Sequence, residues 1–361
     1  MENVVTAHNL DTFYRGKNIF VTGHTGFKGS WLTLVLESLG ANVKGYALAP
    51  EQKGGLFDYL KPVMKGNSVI SDIRDRVSLQ NELENFVPDL VFHLAAQPLV
   101  RRSYSIPSET FDINVTGTAN LLEAVSRLNN RCSIIVITTD KVYRNKEQDV
   151  LYKESDELGG YDPYSASKAC CELVCDSFRN SFFNPASYSQ HQKSLATARA
   201  GNVIGGGDWS RDRLIPDIVN AIFTKKELNI RYPHSVRPWQ HVLEAIAGYL
   251  VLGKKLHDDP VKFSKAYNFG PLPGDHLTVK DVVEYAISHL GSGIWNDISE
   301  SEQPHESGLL KLDVTAARVE LNWDPKLDAR TAIKWTLDWY MQKEDGRLDY
   351  ARKQVEQYFS L

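Results

Sequence analysis

Between Lys17 and Ala200, short apolar runs alternate with helix-patterned stretches, and no other feature restricts the possible folds of the chain as much. The clearest run is Cys132–Thr138 (Cys-Ser-Ile-Ile-Val-Ile-Thr), apolar at consecutive rather than alternate positions, as a strand buried on both faces must be. Strands are likewise predicted at Asn18–Val21, Asn42–Ala47, Ser68–Ile70, Leu90–Leu94 and Ser194–Ala200. Helices are predicted at Ser30–Leu39, Arg76–Phe86, Ser108–Leu128 and Ser167–Phe183. Alternation of this kind predicts an α/β fold with a doubly wound parallel sheet. Met1 to Gly16 reads as a polar arm, and after Gly201 the rhythm breaks at Gly205-Gly206-Gly207-Asp208-Trp209. A helix (Ile215–Phe223), a short strand (Leu228–Arg231) and mixed segments follow. At 361 residues the chain exceeds the size at which single cores usually stop growing. Two lobes are therefore expected: residues 17–205 with returns around 237–270, and a smaller mixed α/β lobe of 206–236 and 271–361.

A net charge of −4 gives no basic surface for nucleic acid or an anionic membrane. No apolar run approaches the ~18 residues that span a bilayer, and the start of the chain lacks a signal-peptide pattern, so a cytoplasmic protein is expected. The four cysteines (Cys132, Cys170, Cys171, Cys175) show no paired CxxC spacing. They read as reduced, small hydrophobes, and no metal site is expected.

The first strand runs into Val21-Thr22-Gly23-His24-Thr25-Gly26-Phe27-Lys28-Gly29-Ser30. Glycines spaced in this way at a strand-turn-helix junction let the backbone turn tightly and expose amides to a pyrophosphate. Gly23, Thr25, Gly26, Phe27 and Gly29 are thus candidate contacts to a dinucleotide, although the spacing is GxxGxxG rather than GxGxxG. Asp72-Ile73 after the third strand and Leu94-Ala95-Ala96 after the fourth fall where the same cofactor would pass. The second strand ends Tyr46-Ala47-Leu48-Ala49-Pro50, with no acid before Glu51, so this stretch does not separate NAD from NADP. Lys28 could offset pyrophosphate charge but reads rather as a solvated lysine, and His24 and His241 read as structural.

Tyr164 and Lys168 stand four residues apart, a spacing that sets a phenol and an ammonium on one helical face. A neighbouring cation is expected to lower the phenol pKa, making Tyr164 a general base for an alcohol. Thr139, Asp140 and Lys141 follow the fifth strand, where ligands bind in such sheets. The Thr139 hydroxyl can bond the same substrate oxygen as Tyr164; Asp140 also suits a turn cap.

The glycine run, Thr139 and Tyr164/Lys168 resemble those of the extended short-chain dehydrogenase/reductases, whose fold is a Rossmann sheet. Thr139-Asp140-Lys141-Val142-Tyr143 is similar to the Thr-Asp-Glu-Val-Tyr of nucleotide-sugar 4,6-dehydratases. The stretches Gly23–Leu32 and Arg237-Pro238-Trp239-Gln240-His241 look most like those of CDP-glucose 4,6-dehydratases. The resemblance implies NAD as cofactor, with Tyr164 as base, Thr139 sharing the substrate oxygen and Lys168 holding the nicotinamide ribose. It implies Asp140 as the acid at the departing C6 hydroxyl. At the next position the related enzymes carry a glutamate that takes the C5 proton, and this chain has Lys141. Either Lys141 acts as a neutral amine, or it stabilises the enolate and another group is the base. The nucleotide sugar, CDP-glucose by this resemblance, would contact Asn202, Arg213, Leu214, Arg231, Arg237, Asn268 and His305. Other 4,6-dehydratases (for dTDP-glucose or GDP-mannose), a 4-epimerase and a non-catalytic NAD-binding protein are the competing readings. By analogy the chain forms a homodimer or homotetramer through Ser108–Leu128 and Ser167–Phe183.

Overall fold

The computed structural model describes residues 7–64, 66–275, 277–299 and 310–361. Its centre is a seven-stranded, wholly parallel sheet. The strands are β1 (Asn18–Thr22), β2 (Asn42–Ala47), β3 (Ser68–Ile70), β4 (Leu90–His93), β5 (Cys132–Ile137), β6 (Lys193–Ala200) and β7 (Ala266–Phe269). Their spatial order is β7-β6-β5-β4-β1-β2-β3. The chain thus builds outward from β1 through β3, then returns to place β4 on the other side of β1. That reversal opens a crevice at the carboxyl ends of β1 and β4.

Consecutive apolar residues in each strand serve opposite faces. Ile19 and Val21, Leu90 and Phe92, and Ile135 and Ile137 enter one core, whereas Phe20, Val91, Ile134 and Val136 enter the other. The first core takes α1 (Ala7–Tyr14), α2 (Phe27–Ser38) and the later α6 (Val242–Asp258). The second takes α3 (Arg76–Phe86), α4 (Gly117–Ser126) and α5 (Pro163–Ser181). Two-sided burial is the physical reason the β5 run is unbroken.

Three sequence expectations are corrected. The expected arm contains α1, because buried Tyr14 packs into the first core and donates a hydrogen bond to Leu250 O at 2.8 Å. The single helix expected over Ser108–Leu128 is three pieces: Pro107–Phe111, a π-helical turn over Asp112–Thr116, and α4. The widened turn suits Asn114, whose buried amide reaches Gln97 O (3.2 Å) and Ser167 Oγ (2.8 Å) while its Oδ1 accepts from Gln97 N (2.8 Å). Helix α5 starts four residues before the expected Ser167, at Pro163, with Asp162 accepting from Ser165 N at 3.0 Å. Asp-Pro at that point is a recognisable start signal, a capping carboxylate before a proline that needs no donor.

Among the described residues no helix is long and apolar enough to cross a membrane.

Candidate active site

A cavity of about 1030 Å³ lies over the carboxyl ends of the strands. The turn after β1 forms its floor. Gly23 has φ +77°, and a Cβ there would meet Ala95 N at 2.7 Å. A Cβ on Gly29 would lie 2.0 Å from Gly23 O, so α2 approaches the turn as closely as glycine allows. Gly26 differs: its Cβ would meet only Gly23 O, at 3.3 Å, and its other side faces the cavity. As N-cap of α2 it offers no side-chain bond to the first helical amides, which leaves them to a ligand. Gly29→Ala is expected to abolish dinucleotide binding, measured by titration calorimetry, because the added methyl must push α2 off the turn.

The remaining walls carry most of the other candidate residues. Thr25, Phe27, Asp72, Ile73, Leu94, Ala95 and Ala96 line the cavity. So do Thr139, Asp140, Lys141, Tyr164, Lys168, Asn202, Arg213, Leu214, Arg231 and Arg237. Thr139 closes β5 in extended backbone, and its hydroxyl donates to Asp140 Oδ1 at 3.0 Å. Asp140 is buried beside Gly201, and Lys141 Nζ stands 3.7 Å from Asp140 Oδ1. The turn cap is Thr139, which accepts from Lys141 N, so the Asp140 carboxylate is not used up as a cap. Tyr164 and Lys168 project from the first turns of α5, and Lys168 Nζ donates to Ile137 O at 3.1 Å.

The phenol behaves differently from the sequence expectation. Burial pushes Tyr164 up to about 12, while a hydrogen bond with Thr139 and the charge of Arg213 pull it down. Burial also depresses Lys168, whose ammonium is engaged by Ile137 O.

Two further placements depart from expectation. Asn268 does not line the cavity. It is a buried residue of β7, donating to Tyr152 O (2.9 Å) and Asp313 O (3.1 Å) and accepting from Tyr143 OH (2.6 Å), so it ties neighbouring segments together. Lys28 is not a solvated lysine: it is half-buried and lines the cavity among Asp140, Lys168, Asp208 and Arg213. A lysine in a helix's first turn opposes the helix dipole, and that anomaly was the available signal. His305 lies outside the described residues. His24 and His241 are buried, and burial lowers them to about 4 and about 3. His24 Nε2 bonds Ser68 Oγ at 2.7 Å, a structural role.

Sequence reading also missed Arg101 and Arg102, carried by a short helix over Val100–Ser105 at the cavity rim. Arg101 pairs with Asp212 at 3.5 Å, and Arg102 pairs with Glu51.

The profile of the GDP-mannose 4,6 dehydratase family matches residues 20–336. The chain belongs to that family. A CDP-glucose 4,6-dehydratase of Salmonella typhimurium is 46% identical over 352 residues, covering 96% of this chain and 98% of the relative. A probable dTDP-glucose 4,6-dehydratase of Sinorhizobium fredii is 26% identical, covering 90% and 93%. Among solved structures, a dTDP-glucose 4,6-dehydratase of Streptomyces venezuelae with NAD bound shares the fold with a TM-score of 0.75. It is 23% identical and covers 92% of this chain and 99% of that one. A UDP-N-acetylglucosamine 4-epimerase of Methanobrevibacter ruminantium gives 0.76 at 23% identity, covering 91% and 99%. The Rossmann fold of this GDP-mannose 4,6-dehydratase family member is therefore shared by dehydratases and epimerases, and the difference between them lies in the site.

Proposed function

We propose that this chain is an NAD-dependent hydro-lyase that converts CDP-D-glucose to CDP-4-keto-6-deoxy-D-glucose and water, supplying deoxysugars for surface polysaccharide such as lipopolysaccharide O-antigen. The observation that carries it is that Thr139, Asp140, Lys141, Tyr164 and Lys168 open into one cavity. The full-length relative named for CDP-glucose supports the nucleobase. The uncapped α2 N-terminus and the open side of Gly26 fit a dinucleotide pyrophosphate. Asp72 and Ile73 line the adenine end, and Lys168 and Tyr164 the nicotinamide end. Bound there, NAD would supply a reversible hydride acceptor for oxidation at sugar C4 and reduction at C6, with no net oxidation.

Tyr164 removes the proton of the 4-hydroxyl, and Thr139 bonds the same oxygen. The resulting 4-ketone acidifies C5–H. Asp140, which lines the cavity, protonates the C6 hydroxyl as water departs. Lys141 acts at C5, as a neutral amine taking the proton or as a cation stabilising the enolate. Lys141→Met should therefore cut solvent-deuterium incorporation at C5 by about 10²-fold or more, the contribution of one positioned acid-base group. Undiminished exchange would remove Lys141 from that role.

Arginine forks suit phosphate oxygens, and Arg213, Arg231 and Arg237, with Asn202 and Leu214, form the diphosphate end. Residues 206–236 and 271–361 form the sugar-nucleotide half, and residues 17–205 with 237–270 the dinucleotide half. The protein works in the cytoplasm as a homodimer or homotetramer; exposed Leu173 on α5 supports pairing through that helix.

The test is incubation with NAD⁺ and each of CDP-, dTDP-, UDP- and GDP-glucose, followed by mass spectrometry. Loss of one water from CDP-glucose, ahead of the others, is expected. A product of unchanged mass with inverted C4 would mark an epimerase. Unreacted sugar despite dinucleotide binding would mark a non-catalytic protein.

A further inference from the structure

The acids that line the cavity have donors among the described residues, with one exception. Asp72 is held by Arg74 (2.7 Å), Asp140 by Thr139 (3.0 Å), and Asp208 by Ser210 N (3.0 Å) and Arg213 (3.4 Å). Asp212 takes both Arg101 and Arg231, each at 3.5 Å. Asp58 accepts from Gly54 N (2.6 Å), and Glu51 and Glu109 pair with Arg102 and Arg74. Asp217 makes no hydrogen bond or ion pair among the described residues, although it is half-buried on the same wall. An acid in a helix's first turn is common, because it complements the helix dipole. Asp217 has that position in the helix Leu214–Phe223, but its carboxylate caps none of the helix's free amides. An acceptor left without a donor in a ligand cavity is costly unless the ligand brings the donor.

Its place along the cavity says which part of the ligand that is. Asp217 N donates to Arg213 O at 3.0 Å, so Asp217 stands one turn, about 5.4 Å, beyond Arg213 along the helix. The strand Leu228–Ile230 and the helix Val279–Leu290 pack against this helix, and Leu228, Ile230 and Val279 line the cavity. The reaction centre is built elsewhere, from the end of β5 and the start of α5. A nucleotide sugar with its C4 at Tyr164 and its diphosphate at Arg213 and Arg231 therefore extends its base past these arginines, toward Asp217. Apolar walls suit the faces of a base, and one polar group at its edge is what specificity requires.

We propose that Asp217 reads the base of the nucleotide sugar: its carboxylate accepts a hydrogen bond from the exocyclic amino group of cytosine. The proposal rests on the reading of the substrate as a CDP-sugar. Cytosine carries a donor at position 4, where uracil and thymine carry a carbonyl acceptor. A carboxylate facing that carbonyl sets acceptor against acceptor, and neither group finds a partner. Guanine also offers amino donors, so the discrimination that Asp217 supplies is between cytosine and the other two pyrimidines.

The test compares dissociation constants of CDP and UDP for the full-length protein and its Asp217→Asn and Asp217→Leu variants. The two ligands differ only at position 4 of the base and in the N3 proton that goes with it. The unaltered protein should prefer CDP by about ten-fold or more, the discrimination of one well-placed base contact. An asparagine amide can turn either way, accepting from the amino group of cytosine or donating to the carbonyl of uracil. Asp217→Asn should therefore bind UDP more tightly and bring the preference down to about three-fold or less. Asp217→Leu should weaken CDP by about ten-fold and leave UDP unchanged. NAD⁺ should bind all three proteins alike, which reports that the variants are folded. Equal weakening of CDP and UDP would overturn the proposal, making Asp217 a support of its helix. A preference for CDP that survives both substitutions would overturn it as well. If the unaltered protein bound UDP as tightly as CDP, the CDP-sugar reading itself would fall and take the proposal with it, a result seen before any variant is made.

Discussion

Tyr164→Phe should lower kcat by about 10²–10⁴-fold, the range for loss of a positioned general base, with KM for the nucleotide sugar changed only a few-fold. The substitution removes one oxygen from a side chain only 8% exposed and leaves its ring packing unchanged. Steady-state kinetics of the two proteins check this. The pH profile adds a second readout. Burial holds the phenol up to about 12, so it is protonated at neutral pH and its basic form grows as pH rises. Turnover of the unaltered protein should therefore show a limb rising with pH on the neutral-to-alkaline side, and Tyr164→Phe should lack it. A Phe variant retaining the limb would mean that another group titrates.

The second large effect concerns the support of that tyrosine. Glu172, one turn beyond Lys168 on α5, accepts from Thr138 (2.5 Å), Thr197 (2.7 Å) and Arg199 (2.9 Å). Both charged partners are buried, with side chains 4–5% exposed. Burial pushes Glu172 upward, yet Arg199 and the two threonines hold its carboxyl below the usual range. Arg199→Met leaves that carboxylate without its counter-charge, at a cost of about 3–5 kcal/mol. For a chain of this size the melting temperature should fall by roughly 4–7 °C, as calorimetry would show. Glu172→Gln in the same background should restore part of the loss, since an amide needs no counter-charge. If the double variant were no more stable than Arg199→Met, lost packing rather than charge would be the cause. Because Glu172 fastens α5 to the ends of β5 and β6, kcat should drop with stability.

Much of the cavity's lining was readable because it depends on short-range order. The glycine turn, Thr139-Asp140-Lys141 and Tyr164/Lys168 each follow a strand or share a helix, so spacing alone aligns them. The misreadings are long-range. Asn268 has the residue type of a ligand contact, but Tyr143, Tyr152 and Asp313 claim its polar groups. Arg101 is carried to the rim by a short helix and meets Asp212 from the other half of the chain, a contact no local pattern encodes.

What the sequence by itself determined is the sheet and the order in which it delivers reactive groups to one edge, because strand burial and helical spacing are local periodicities. What only the tertiary structure decided is the state of those groups. Burial raises the Tyr164 phenol, and the ammonium of Lys168 is held by Ile137 O. Lys28, read as a solvated lysine, is half-buried on the cavity wall. Charge and desolvation depend on everything within several ångströms, and that neighbourhood is assembled from segments far apart in the chain.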